Sequence, residues 1–495
     1  MTEPVGRISA RELIDSVVDD GSYVSWDSPP DRSGVSDEYA AQLRAAEEQS
    51  GVDESVITGE GLIKGRRVAL AACEFRFLAG SIGIAASRRL IRAIERATAE
   101  GIPLLASPTS GGTRMQEGTA AFVEMARISA AIARHKANGL AYLVYLRNPT
   151  TGGVMASWGS LGHVTVAEPG ALVGFLGPRV YEALYDKEFP EGVQTSENLF
   201  SHGLLDGVLP PSEIPEIVDR ALAVITCGPP EPVPDPAADE PLPDVDAWES
   251  IERSRREDRP GVRRFLRYAA TDVIPLNGTG QGESDPGLLL ALARFEGAPC
   301  VLLGQVRLAS SEFIALGPAG LRAARRGMRL ARQLRLPLVN VIDTPGAALS
   351  PEAEEGGLAG EIARCLADLV TLAAPSVTVL LGQGCGGGAL AMLPANRIIA
   401  AQHAWLSPLP PEGASAIMYR TAERAPDMAR DQGVRSADLL REGIVDRIVA
   451  EHPDAADEPE EFCRRLGGVL RHELAELTSM STHTLLAQRL QRYSG

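Results

Sequence analysis

The chain has 495 residues, 44% of them hydrophobic and 23% charged, which is enough apolar material for two buried cores and too much for a disordered protein. Its formal charge of 48 − 65 = −17 argues against non-specific binding to nucleic acid or to anionic membranes. The six cysteines stand singly without a CxxC pair, so neither a zinc ribbon nor a disulfide framework can be read from them.

Residues 1–25 lack the basic start and apolar core of a signal peptide, and a cytoplasmic protein is expected. Further along, short apolar runs alternate with helical-period segments. Strands are expected at 68–75, 102–107 and 141–146, and helices at 83–99 and 119–136. A glycine turn and a small-residue helix follow, in "NPTTGGVMASWGSLG" (148–162). Residues 227–244, "CGPPEPVPDPAADEPLPD", hold seven prolines and several acids, the composition of an extended, solvated linker. Beyond it the same order recurs: strands at 299–306, 337–342 and 376–381, helices at 319–334 and 357–372, and a glycine turn in "GQGCGGGALAMLPA" (382–395). The apolar region 369–400 is broken by Pro375, Gly382 and Gln383, so it reads as buried strand, turn and helix and not as a membrane span.

Four matches between the halves keep one order and nearly one spacing. Pro103 and Pro337 differ by 337 − 103 = 234, Gly153 and Gly388 by 388 − 153 = 235, Ala171 and Ala404 by 404 − 171 = 233, and Gly203 and Gly443 by 443 − 203 = 240. The chain is therefore expected to be one α/β unit written twice: domain 1–226, linker 227–246 and domain 247–495.

Either glycine pair alone is equally well explained by a turn that needs positive φ or close packing. At matching strand-to-helix turns in both halves, however, unencumbered backbone N–H groups suit two developing oxyanions. No Ser, Cys or His nucleophile motif stands beside either turn. A thioester with an acidic α-carbon needs one such hole for its enolate oxygen. A urea-type carboxyl carrier needs another when its carboxyl group leaves, and biotin is that carrier.

Three blocks of the first half, "SGGTRMQEG" (110–118), "NPTTGGVMASWGSLGHVTVAEPGALVGFLGPRV" (148–180) and "GVQTSENLFSHGLLDGVL" (192–209), resemble the β subunit of bacterial acetyl-CoA carboxylase carboxyltransferase. In the second half, "AWESIERSRREDRPGVRRFL" (247–266), "GPAGLRAARRGMRLARQLRLPLVNVIDTPGA" (317–347), "EGGLAGEIARCLADL" (355–369) and the block from Gly382 to Ile417 resemble its α subunit. The resemblance implies a fused carboxyltransferase of a biotin-dependent acyl-CoA carboxylase, with two tandem crotonase-like ββα-spiral domains. It implies an acyl-CoA thioester as substrate, bound mainly by the first domain. Biotin, as carboxybiotin on a separate carrier protein, is implied for the second domain, usually that of a neighbouring protomer. Gly152 and Gly153 line one hole by the family pattern, and Gly387, Gly388 and Ala389 the other; which hole takes the thioester stays open.

Neither a biotinyl-lysine motif nor an ATP-grasp region occurs, so a biotin carboxylase and a biotin carboxyl carrier protein are expected as partners, and a homodimer or homohexamer as the assembly. Gly111, Gly112 and Arg114, and Gly346 in the second half, are the expected cofactor contacts. Arg114 is equally open to a structural salt bridge with Glu117. Arg88 and Arg92, and Arg322, Arg325, Arg329 and Arg332, form helical stripes that read first as solvated faces and second as contacts for CoA phosphates or an acidic carrier.

Three departures from the family pattern matter. Residues 1–54 have no cysteine where the β subunit carries a four-cysteine zinc ribbon, so no metal is carried over. "GQVRLASS" (304–311) replaces a basic strand end, and Leu176 stands at an alanine position. "DTPGA" (343–347) lacks the GxxxxGK[ST] of a phosphate loop, and the reading is rejected. Rival readings are a decarboxylase of malonyl-type thioesters in the same superfamily and a non-catalytic scaffold. The acyl chain, acetyl or longer, is not legible from spacing, and neither is assignment to fatty acid biosynthesis through malonyl-CoA.

Overall fold

The computed structural model describes residues 7–236, 242–307 and 315–494. It divides into two compact units, Met1–Leu222 and Ala223–Gly495.

In the first unit a seven-stranded sheet runs in the order Val24–Ser25, Val56–Ile63, Arg66–Cys73, Leu104–Ser107, Tyr142–Leu146, Val164–Ala167 and Gly207–Val208. The first three strands pair antiparallel and the rest parallel. Leu104–Ser107 and Tyr142–Leu146 are buried at every residue, as a sheet covered on both faces requires. Helices Ile84–Ala99 and Gly118–Ala137 form the crossovers between parallel strands. The first turns Leu90, Ala93, Ile94 and Ala97 inward at helical spacing, and its expected arginine stripe, Arg88 and Arg92, lies on the exposed face. One arginine of this helix, Arg89, is buried and grips both Asp53 carboxylate oxygens at 2.9 Å.

The second unit repeats the plan: Asp272–Leu276, Leu288–Phe295, Ala298–Gln305, Leu338–Thr344, Ser376–Cys385, Arg397–Ala401 and Arg447–Val449, again antiparallel then parallel. Here Ser376–Cys385 continues far enough to pair Trp405–Ser407. In the first unit the matching strand is split, because Pro149 has no N–H for the ladder, and Thr150–Thr151 pairs Val173–Gly174 as a separate ribbon. Each unit thus has the crotonase-like α/β architecture that the resemblance implies.

Of the expected linker, 237–241 lie outside the described residues, as do 308–311 of "GQVRLASS". Residues 227–236 are irregular and mostly exposed but are strapped to the second unit. The Val233 carbonyl bonds His472 Nδ1 at 2.8 Å, and Asp235 accepts from Arg447 at 2.7 Å. No helix among the described residues is long and apolar enough to cross a membrane.

Candidate functional site: two matched glycine turns

Both turns are built from the same parts. In the first unit the chain leaves strand Leu104–Ser107 through Ser110, whose hydroxyl accepts from the Gly112 amide at 3.0 Å. Gly112 has φ +114°, and a Cβ there would lie 3.4 Å from Gly152 Cα and 3.5 Å from Gly153 N. The two main chains therefore meet in van der Waals contact, and the positive φ of Gly112, rather than lack of room, disfavours a side chain there. Gly152, at φ +65°, turns the second of them into helix Gly152–Met155, and its own amide is spent on the Phe175 carbonyl at 2.8 Å.

In the second unit Thr344 takes the place of Ser110 (344 − 110 = 234) and accepts from Gly346 N at 3.1 Å. Gly386, at φ +63°, takes the place of Gly152 (386 − 152 = 234) and opens helix Gly386–Leu390. A Cβ on Gly388 would lie 3.2 Å from Ala347 N. The bridge Ile82 to Thr113 recurs as Leu316 to Ala347, again at 234 (347 − 113). This register pairs Gly153 with Gly387, one residue earlier than the sequence match to Gly388. The loose run of three glycines hides that slip from sequence reasoning.

The arrangement leaves main-chain donors at each turn. Among the described residues, the amides of Thr113 and Gly153, and of Ala347 and Gly387, donate to no other group of the protein, and all four residues are half-buried. Gly388 is buried against Ala347 and Ala389 is fully buried, whereas Gly387 is half-buried. Sequence reasoning singled out the glycines but missed Thr113, Ala347 and their hydroxyl braces. The constant offset of 234 could have found them.

Of the expected cofactor contacts, Gly111 is exposed beside the first turn, and Gly112 and Gly346 shape the turns themselves. Arg114 is corrected. It is 0% exposed, and its guanidinium is committed to Glu54, to the Ser55 hydroxyl at 3.1 Å and to the Ser81 carbonyl at 2.7 Å. Glu117, the partner considered from sequence, stands farther off at 3.5 Å. A guanidinium so enclosed anchors the loop and is not available to a phosphate. In the second unit Arg322 and Arg325 are tied to Glu283, Glu361 and Asp368, while Arg329 and Arg332 point outward.

Cys385 precedes Gly386, but burial pushes its thiol up to about 11, so it is protonated at neutral pH. His163 and His403, near the turns in sequence, are both buried. Among the described residues no group of three or more His, Cys, Asp or Glu is placed to hold a metal.

Exposed apolar side chains recur at matching positions of the two units. Met115 (84% exposed) and Leu349 (94%) occupy matching positions, as do Phe175 and Leu409, and Leu184 and Met418, each pair 234 apart (349 − 115, 409 − 175, 418 − 184). Beside Gly386 and Gly387 a cavity of about 710 Å³ opens between Leu390, Leu406, Leu439 and Ile444, with Arg430 and Arg441 among its lining residues.

Comparison with known proteins shows the family. A profile described as "Carboxyl transferase domain" matches residues 2–485. The chain is 60% identical over 489 residues to the "Probable biotin-dependent acyl-coenzyme A carboxylase beta3 subunit" of Mycobacterium tuberculosis, covering 99% of this chain and 98% of that protein. It is 36% identical over 515 residues to the "Acetyl-coenzyme A carboxylase carboxyl transferase subunits beta/alpha" of Salinispora arenicola, covering 98% and 90%. In fold it is similar to transcarboxylase 12S, solved as a hexamer, with TM-score 0.74 and 21% identity over 93% of this chain and 89% of that one. The chain belongs to the carboxyl transferase domain family, and it is a transferase.

Proposed function

We propose that this chain is the carboxyltransferase component of a biotin-dependent acyl-CoA carboxylase, adding a carboxyl group to the α-carbon of an acyl-CoA. The observation that carries the reading is the pair of matched turns, each with two main-chain donors that bond no other described group of the protein. Carboxybiotin, delivered on a carrier protein, supplies the carboxyl group and, once that has left, a ureido nitrogen able to take the α-proton.

What the chain's own residues contribute is binding and electrostatics. The Thr113 and Gly153 amides at one turn, and the Ala347 and Gly387 amides at the other, hold the thioester oxygen and the ureido oxygen as each gains charge. A preorganised donor of this kind contributes about 10²- to 10³-fold in rate. The first domain takes the acyl-CoA and the second the biotin, in an oligomer partnered by a biotin carboxylase and a biotin carboxyl carrier protein. The names of the relatives support this reading, and those of the fused beta/alpha relatives favour acetyl-CoA as substrate, with malonyl-CoA as product.

The test supplies this chain with carboxylated carrier and a panel of acyl-CoAs from acetyl upward. A carboxylated acyl-CoA is expected from at least one member. Steady decarboxylation of a malonyl-type thioester without any biotin would instead make the chain a decarboxylase.

A further inference from the structure

The two turns are not braced alike. Gln305 is the last residue of strand Ala298–Gln305, and its side chain is buried. Its amide nitrogen donates to the Gly388 carbonyl at 2.8 Å, and its amide oxygen accepts from Asp343 N at 3.1 Å. Both partners are main-chain groups of fixed polarity, so the side chain has one orientation only. It therefore clasps the end of strand Leu338–Thr344, which leads to Ala347, to the turn that carries Gly387.

By strand register the matching residue of the first unit is Cys73, because Ala69 pairs Leu104 as Val301 pairs Leu338. Cys73 makes only half of this clasp: its buried thiol hydrogen-bonds the Thr109 backbone, the counterpart of Asp343 (343 − 109 = 234), but it has no amide donor for the carbonyl that matches Gly388 O. The first turn also has less need of a clasp, since the residue after its two glycines is Val154, fully buried, where the second turn has a third glycine. Three consecutive glycines have the widest choice of backbone conformations, so a second constraint on their orientation has the most to restrict here.

Building on the proposed carboxyl transfer, we infer that Gln305 is a positioning residue, which holds the Gly386–Gly388 turn so that the Gly387 and Ala347 amides converge. It touches no substrate. Its donated hydrogen bond fixes the Gly388–Ala389 peptide plane, and its accepted bond fixes the partner strand, so the spacing between the two amides is set by one side chain.

The test compares the wild-type full-length chain with Q305L, which keeps the bulk without donor or acceptor, and Q305E, which keeps the acceptor and loses the donor. In Q305L, amide hydrogen exchange across residues 384–391 should quicken about fivefold, the factor for one lost hydrogen bond of about 1 kcal/mol. Its kcat should fall roughly 10- to 100-fold, as for a misplaced catalytic group, with KM for acyl-CoA within about threefold. In Q305E, burial raises the carboxyl pKa, so the protonated acid regains a donor as pH falls. Its kcat relative to wild type should climb toward acid pH, while that of Q305L stays low at every pH; if Q305L does not fold, Q305E alone supplies both readouts. Unchanged exchange over 384–391, a wild-type kcat, or a flat pH ratio for folded Q305E would overturn the assignment. A wild-type chain with no transfer activity would sink the proposed function instead, and the exchange comparison would still decide the role of Gln305.

Discussion

Replacing Gly153 with alanine probes the first turn with the smallest possible intrusion. The new Cβ would stand 2.8 Å from Thr113 Oγ1, against about 3.4 Å for ordinary contact, so Thr113 must yield by 3.4 − 2.8 = 0.6 Å. Met125 Cγ, at 3.5 Å, closes the other side. Thr113 carries the second donor of this turn, so the displacement reaches the amide pair directly. Overpacking of this size costs about 1–3 kcal/mol of stability, which the fold can absorb. The kinetic cost is larger: a donor shifted by a good fraction of an ångström should lower kcat by roughly 10²-fold. The assay is carboxyl transfer from carboxylated carrier to acyl-CoA, with a urea melt to certify folding. The double variant G153A/T113A removes the obstructing hydroxyl and should recover at least about tenfold in kcat, because neighbouring sites couple. A folded G153A enzyme with wild-type kcat, or a double variant no better than the single, would refute the reasoning.

Three further outcomes follow from the same structure. Glu54→Gln leaves the buried Arg114 guanidinium without its carboxylate, and a urea melt should show about 3–5 kcal/mol of lost stability. Burial pushes the Cys73 and Cys385 thiols up to about 11 and those of Cys365 and Cys463 up to about 12, and raises Cys300 as well. A disulfide reagent at neutral pH should therefore label only half-buried Cys227 in the native chain, and all six cysteines after denaturation. Burial alone would raise the Glu451 carboxyl, but Arg259, bonded to it at 2.6 and 2.7 Å, outweighs that and holds it below the usual range. Its contribution to stability is thus present above the ordinary carboxylate pKa of about 4.3 and is lost as pH falls through the depressed folded value, so Glu451→Gln should lose less stability than wild type between neutral and acid pH.

The elements were largely legible because their signals are local. Helix 84–99 could be read from apolar residues at helical spacing, and strand 142–146 from an unbroken apolar run between turn residues. The duplication was legible because Pro103 and Pro337 keep their places before matching strands. The register of the second turn was not, since three glycines in a row carry no side chain to say which of them matches Gly153. Arg114 misled for a different reason: its position after a glycine turn suggested a phosphate, but its partner Glu54 lies 60 residues away and only folding brings it there. Sequence separation likewise hid Gln305, whose partners Asp343, near a strand end, and Gly388, in a glycine-turn helix, stand 38 and 83 residues away. The composition of 227–236 gave no hint of the Val233 and Asp235 anchors, because a single hydrogen bond leaves no trace in composition.

The central claim is that main-chain donors at both turns perform the transfer. The most direct measurement follows labelled carboxyl from carboxylated carrier into acyl-CoA, using the wild-type chain and folded variants Gly153→Val and Gly387→Val. The account predicts label in product with the wild type and its near-complete loss with either variant alone, because neither turn substitutes for the other. Undiminished transfer by either folded variant would contradict it.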